Sequence, residues 1–262
     1  MLIEITRFRR RFLTPSGSNS AAAVVWVLVA ICYLCLILLV LSAGKDLDPM
    51  ILVVVQTGLF TIAAPMMLHS AIAGERERRS WDLLLAAPIT KSQIVVGKFI
   101  GALAALGVGA AAFTIPVAIA ALRYERTLWW NLWLAEALSL SFVILVCTVT
   151  LFFSARVKRS FMALGASLGS LFVGVVILPA LIDVLLGPMA RYVDDVVLYL
   201  HPFYVLERVM TTHHPDEYIP ITWYGVPQVG VYLFFSVVVL SWTIQTLNFA
   251  ENEVKFIPKG KA

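Results

Sequence analysis

Charge is what this chain has least of. Only 14% of its 262 residues are Asp, Glu, Lys or Arg, and 60% are hydrophobic, whereas a soluble domain carries roughly a quarter charged residues. The shortage runs the whole length, which excludes an ordinary water-soluble globule and makes the bilayer the solvent. Cysteine is scarce too: Cys32, Cys35 and Cys147 all fall inside apolar runs. Cys32 and Cys35 make a C-x-x-C, but no second pair or nearby histidine completes a metal set, so they read as small apolar thiols. The phosphate-binding pattern G-x-x-x-x-G-K-[ST] is missing, since Gly97-Lys98 has neither the upstream glycine nor the following hydroxyl. The chain cannot bind ATP by that route. Repeats, low-complexity tracts and a second soluble domain are also lacking.

What is present is six long apolar runs, roughly 21–43, 50–73, 94–122, 132–155, 161–187 and 228–250. About 20 apolar residues cross ~30 Å of hydrocarbon as a helix. The third run is long enough to tilt or kink. The runs are continuous rather than short and alternating, so a barrel is excluded, and lipid offers unpaired backbone no partner. The expectation is an all-α membrane protein of six transmembrane helices, one transmembrane domain over residues 1–262. The first run follows Arg7, Arg9, Arg10 and Arg11 but exceeds a typical signal-peptide core, so it reads as a retained span.

Lys and Arg set the orientation. The N-terminus, the segment 74–98, the loop 156–159 and the C-terminal tail hold fifteen of them, and the other side holds five. Both termini and the 74–98 segment are therefore expected in the cytoplasm. The net charge of +4 follows from this asymmetry and suits anionic headgroups; it does not point to nucleic acid.

Between the spans the local patterns are specific. Residues 1–14 place Leu2, Ile5, Phe8 and Phe12 at helical spacing with arginines around them, predicting an N-terminal helix in the cytoplasmic headgroup layer, hinged at 15–20. The segment 74–93 is charged and proline-broken. Glu75 with Arg79 and Arg78 with Asp82 stand four apart and can pair on a helix, while Trp81, Leu84 and Leu85 form an apolar face that Pro88 ends. Thr90 then caps the third span, with Gln93 completing a capping box. Small residues recur four apart at Gly97 and Gly101, Gly165 and Gly169, and Ser170 and Gly174, a spacing that lets helices approach within the bundle or between copies. Residues 188–227 form the largest stretch on the outer side, rich in proline and aromatics, expected as short helices on the outer interface.

No catalytic set emerges. Gly165-Ala166-Ser167-Leu168-Gly169 matches G-x-S-x-G, but that motif needs a strand–turn–helix setting, and here it lies within a span. His213, His214, Asp216 and Glu217 cluster in the outer loop without distant partners, so they read as a solvated loop rather than a metal site. The polar residues in or near spans are Gln56, His69, Glu136, Asp183, Gln245 and Asn248. Glu136 and Asp183 lie near outer ends, where reaching water is expected, and an ion-coupled carrier would place such groups at the midplane.

The 74–98 segment resembles that of membrane subunits of the type-2 ATP-binding-cassette transporter family. The residues carrying the resemblance are Glu75 and Glu77, Ser80, Asp82, Leu83 to Leu85, Pro88 and Gly97-Lys98, with the interfacial helix, the six-span layout and Leu200-His201-Pro202-Phe203. Related sequences often have glycine then threonine where Arg79 and Ser80 stand; serine keeps the hydroxyl. The resemblance implies a permease that exports a substrate, without a catalytic site or a bound cofactor. ATP and Mg would be held by a separate cytoplasmic ATPase, and a second permease copy, identical or a sister, would complete the pathway. It implies a cell-membrane protein whose coupling helix, between spans 2 and 3, enters a cleft of the ATPase beside the interfacial helix. Glu75, Glu77, Arg78, Arg79, Ser80 and Asp82 would make polar contacts there, Trp81 and Leu84 the buried anchor, and Pro88 the stop. The alternatives are an ion-coupled secondary carrier or an intramembrane enzyme.

Overall fold

The structure, a computed structural model, describes residues 19–78, 80–81, 90–124, 129–186, 199–211 and 225–255. Among these every regular element is helical: α1 (Asn19–Ala43), α2 (Pro49–Leu68), α3 (Ala73–Glu77), α4 (Lys91–Arg123), α5 (Trp129–Arg156), α6 (Ser160–Phe172), a π-helical turn (Val173–Ile177), α7 (Leu178–Leu186), α8 (Pro202–Thr211) and α9 (Val226–Lys255). The expected all-α membrane protein is what is found. Among the described residues, five stretches are long and apolar enough to cross a membrane: Pro49–Glu77, Lys91–Arg123, Trp129–Arg156, Ser160–Leu181 and Val226–Leu247. The first apolar run forms the 25-residue α1, in which Ala30–Ala43 is a shorter apolar helix. Tyr33 Oη donates to the Ala112 carbonyl at 2.8 Å and Arg123 to that of Leu41 at 2.7 Å, tying α1 to α4.

The helix starts follow local chemistry. Asp48 accepts from the Met50 N–H, with Pro49 in the first turn of α2, where its missing N–H costs nothing. The capping box at Thr90 and Gln93 forms as expected and starts α4. Gly225, at φ 94, precedes α9, and its N–H donates to Gln228 Oε1 at 2.6 Å.

α5 is the centre. Its most apolar window is 61% buried, against 11% for Ser160–Leu181, and it packs against α2, α4, α6, α8 and α9. The core joins Leu138, Phe142, Val143, Val146 and Leu151 of α5 to Leu52 and Val53 of α2 and to Tyr232 of α9. Ser141, Thr148 and Thr150 are buried on α5 and donate back to carbonyls of their own helix, so small hydroxyl side chains sit in the core without needing water.

The outer stretch contributes α8 to the core. Val205, Leu206 and Val209 are each no more than 3% exposed and belong to the main core beside α5 and α2. The spacing of those three residues gives α8 one wholly apolar face, which packs into the bundle while Glu207 is exposed. Residues 188–198 and 212–224 of the outer stretch, with His213 and His214, lie outside the described residues.

Candidate functional site

The charged segment hangs from the end of α2 through a break in the backbone ladder. His69 to Ile72 are turn residues, and His69 Nδ1 closes on the carbonyls of Pro65 and Met66 at 3.1 and 3.0 Å. Ser154, fully buried near the end of α5, takes up the backbone groups this break releases. Its Oγ accepts from the N–H groups of Ile72 and Ala73 at 3.0 and 3.1 Å and donates to the His69 carbonyl at 2.8 Å. A short helix, α3, follows and is seated against α5 rather than floating in solvent.

The side chains of α3 and just beyond continue this bracing. Arg76 Nη1 donates to the Ala155 carbonyl at 2.6 Å and its guanidinium stands 5.5 Å from the centre of the Trp81 ring. Glu77 accepts from the Ser160 hydroxyl at the start of α6. Glu75 pairs with Lys98 of α4 at 3.4 Å and accepts from the Ser80 hydroxyl. Trp81 packs on a small cluster of Ile72, Val95, Ala155 and Leu247, drawn from α2's continuation, α4, α5 and α9. Lys91 Nζ reaches the Leu247 carbonyl at 3.1 Å. Four separate elements thus converge beneath the charged segment.

The predicted site residues divide accordingly. Glu75, Glu77, Ser80 and Trp81 are held by their own chain, and Arg78 is exposed. The expected helix from Glu75 is interrupted: α3 ends at Glu77 and helical backbone resumes at Trp81, beyond which the segment up to Pro88 lies outside the described residues. The Ser80 N–H reaches back to the Glu75 carbonyl at 3.0 Å, the six-to-one bond of a Schellman helix end, in which the intervening position is usually glycine. Arg79, Asp82, Leu84 and Pro88 lie outside the described residues, as do Leu2, Ile5, Phe8 and Phe12 of the expected interfacial helix. Sequence reasoning missed Ser154, since one hydroxyl in an apolar run carries no mark of partners more than eighty positions away.

Polar chemistry also lies deeper. Glu136, expected to reach water, is 7% exposed and accepts from Gln56 Nε2 at 2.7 Å across α2 and α5. One turn on, Thr57 donates to Ser139 at 2.7 Å. The burial follows from α5 being central, so that an outer end is still enclosed. His201 bridges two elements: Nδ1 accepts from the Tyr204 N–H at 3.2 Å and Nε2 lies 3.0 Å from the Val175 carbonyl in the π-helical turn. With Nδ1 accepting, Nε2 carries the proton and donates.

Gly165 and Gly169, expected to pack within the bundle or between copies, meet nothing among the described residues: a Cβ added to either finds no atom there within 4 Å. Among the described residues no group of three or more His, Cys, Asp or Glu is placed to hold a metal ion.

Residues 46–212, more than half of the chain, match the family model described as ABC-2 family transporter protein. That span contains the charged segment, its seat on α5 and the His201 bridge. No curated protein matches the chain.

Proposed function

The chain belongs to the ABC-2 transporter family and is a membrane permease of an ABC transporter, and from that premise we propose that it couples ATP hydrolysis by a separate cytoplasmic ATPase to export of a substrate. On this reading the chain is a single permease domain of six spans in the cell membrane, with both termini cytoplasmic. Residues 74–93 are the coupling segment, residues 1–14 the interfacial helix and 188–227 the outer region. The observation that carries the reading is the seat of α3. A segment that receives force must be exposed on one side and rigidly backed on the other. Arg78 is exposed, while Ser154, Ala155 and Ser160 brace the segment from behind. Displacement of α3 therefore moves the end of α5, the helix against which most of the bundle packs.

Two copies build the pathway. The face carrying Phe161, Gly165, Gly169 and Phe172 is exposed on α6, has room at its glycines, and belongs to the least enclosed span. It supplies the contact with a second permease.

The test is affinity purification of the tagged chain from native membranes in mild detergent. An ATPase with a nucleotide loop is expected in stoichiometric amount. Arg78→Glu, which changes an exposed residue, and Trp81→Ala/Asp82→Lys are expected to lose it. Melting curves of the purified variants separate a lost contact from a damaged fold. A preparation free of ATPase in lipid-preserving conditions as well would overturn the reading in favour of an ion-gradient carrier.

A further inference from the structure

At the charged end of the bundle, on a different face from the coupling segment's supports, an arginine is stacked on two aromatic rings. Arg156 closes α5, and its Cζ lies 5.1 Å from the Phe152 ring centre and 5.7 Å from that of Trp242 on α9. The two rings are themselves 5.0 Å apart and inclined at 39°. Trp242 is 51% exposed, on the same side of α9 as Phe235 and Val238, also exposed. An apolar surface of that kind on a membrane-spanning helix is open to acyl chains. Trp242 stands about one and a half turns before Leu247, whose carbonyl Lys91 reaches at the start of α4, so the stack lies at the boundary of the hydrocarbon.

Ring stacking occupies the face of a guanidinium and leaves its N–H donors, which run along the edge. Arg156 makes no hydrogen bond or ion pair with the described residues; its contacts are the two rings. Lys158 and Arg159, both exposed, follow in the turn to α6. Among the described residues, the acidic side chain bonded at that turn is Glu77, through Ser160. A planar donor held at the headgroup level, beside an apolar wall and two further cations, matches the phosphodiester of an anionic phospholipid, whose acyl chains would run down α9 past Val238 and Phe235. Phosphate fits the guanidinium edge through paired N–H donors.

We propose that Arg156, stacked on Phe152 and Trp242, forms with Lys158 and Arg159 a binding site for the phosphate headgroup of an anionic phospholipid at the charged end of the bundle. The site concerns lipid held by this chain itself and stands whether or not an ATPase binds residues 74–93.

The experiment is native mass spectrometry of the full-length chain, delipidated in detergent and titrated with phosphatidylglycerol or phosphatidylcholine of the same acyl chains. The parent is expected to retain one phosphatidylglycerol in preference to phosphatidylcholine. Arg156→Ala is expected to weaken that retention on the order of fivefold or more, in line with the contribution of one basic residue at an anionic surface. Trp242→Leu, which keeps the charge and an apolar wall, should weaken it as well, and Arg156→Lys should restore part of it. Unchanged melting in phosphatidylcholine shows that the variants are folded. Equal retention of both lipids by the parent would overturn the proposal, as would a preference indifferent to Arg156→Ala. Displacement of the lipid by millimolar inorganic phosphate would replace it with a site for a soluble anion. Loss of co-purifying ATPase in Arg156→Ala with lipid retention intact would assign the stack to a protein partner instead.

Discussion

A serine hydroxyl has one donor and two acceptor positions, and Ser154 uses all three on the break between α2 and α3. Ser154→Ala leaves two N–H groups and one carbonyl unpaired in a buried place, each costing about 1–3 kcal/mol. The expected result is a melting temperature lowered in detergent and faster hydrogen exchange at the Ile72 and Ala73 amides, with exchange in α9 unchanged. Uniform loosening of the whole bundle would show that Ser154 acts as general packing instead. Glu75 and Lys98 offer a second residue-scale check. Their side chains are 22% and 12% exposed and 3.4 Å apart, so a double-mutant cycle with Glu75→Gln and Lys98→Met should give a coupling near 1 kcal/mol, at the upper end for partly screened pairs. Additive effects would mean that the pair is incidental. Residues of this kind differ in how far the sequence discloses them. Thr90 and Gln93 were legible because a capping box is written within four positions. Ser154 and the Glu75–Lys98 pair depend on which helices become neighbours, and a local pattern carries none of that.

Elements were read more securely than their ends. Helical spans arise wherever about twenty apolar residues run unbroken, so α4, α5 and α9 fall close to the runs that forecast them. Two things were hidden. The coupling helix was expected to run unbroken from Glu75, yet the Ser80 N–H closes its first piece at Glu77 through a backbone bond that no side-chain pattern specifies, before helical backbone resumes at Trp81. The outer helix α8 was expected at the interface, and how deeply its apolar face enters the core depends on neighbours that its own sequence does not name. Its burial depends on the His201 bridge to the π-helical turn and on the turn at Gly225. That glycine has φ 94, a left-handed conformation that other residues adopt with strain, and an added Cβ would lie 2.6 Å from Leu134 Cδ2 and 3.1 Å from Val209 Cγ2. Gly225→Ala therefore forces α9 away from α5 and α8 at once. Its expected cost is about 2–4 kcal/mol, combining backbone strain with overpacking, read as a fall in melting temperature and poor membrane insertion yield. Wild-type stability in that variant would show that Leu134 and the turn relax together without loss.

At the scale of the whole molecule, the five spans found among the described residues are unequally enclosed, and on the two-copy reading proposed above the inequality points to where the second copy would pack. α5 is surrounded, whereas the span beginning at Ser160 is 11% buried and turns Phe161, Gly165, Gly169 and Phe172 outward on one face. Lipid covers such a face as readily as protein does, so hydrophobicity alone decides nothing. Close approach of small residues, which gains van der Waals contact, favours a helix partner. Cysteine cross-linking separates the two. In a background where Cys32, Cys35 and Cys147 are replaced by Ala, Gly169→Cys is expected to give a disulfide-linked dimer in oxidised membranes, because bridged Cα atoms must come within about 7 Å. Val108→Cys, also exposed, at 72%, but on α4, is expected to remain monomeric. Bulk should act in the opposite sense: Gly165→Leu fills the approach, and the dimer recovered in mild detergent should fall severalfold while the monomer melts as before. Equal cross-linking at Gly169 and Val108 would reduce the exposed glycines to lipid-facing surface. The second permease would then have to meet this chain through another span, with α1 the next to test because its Ala30–Ala43 half is also largely exposed.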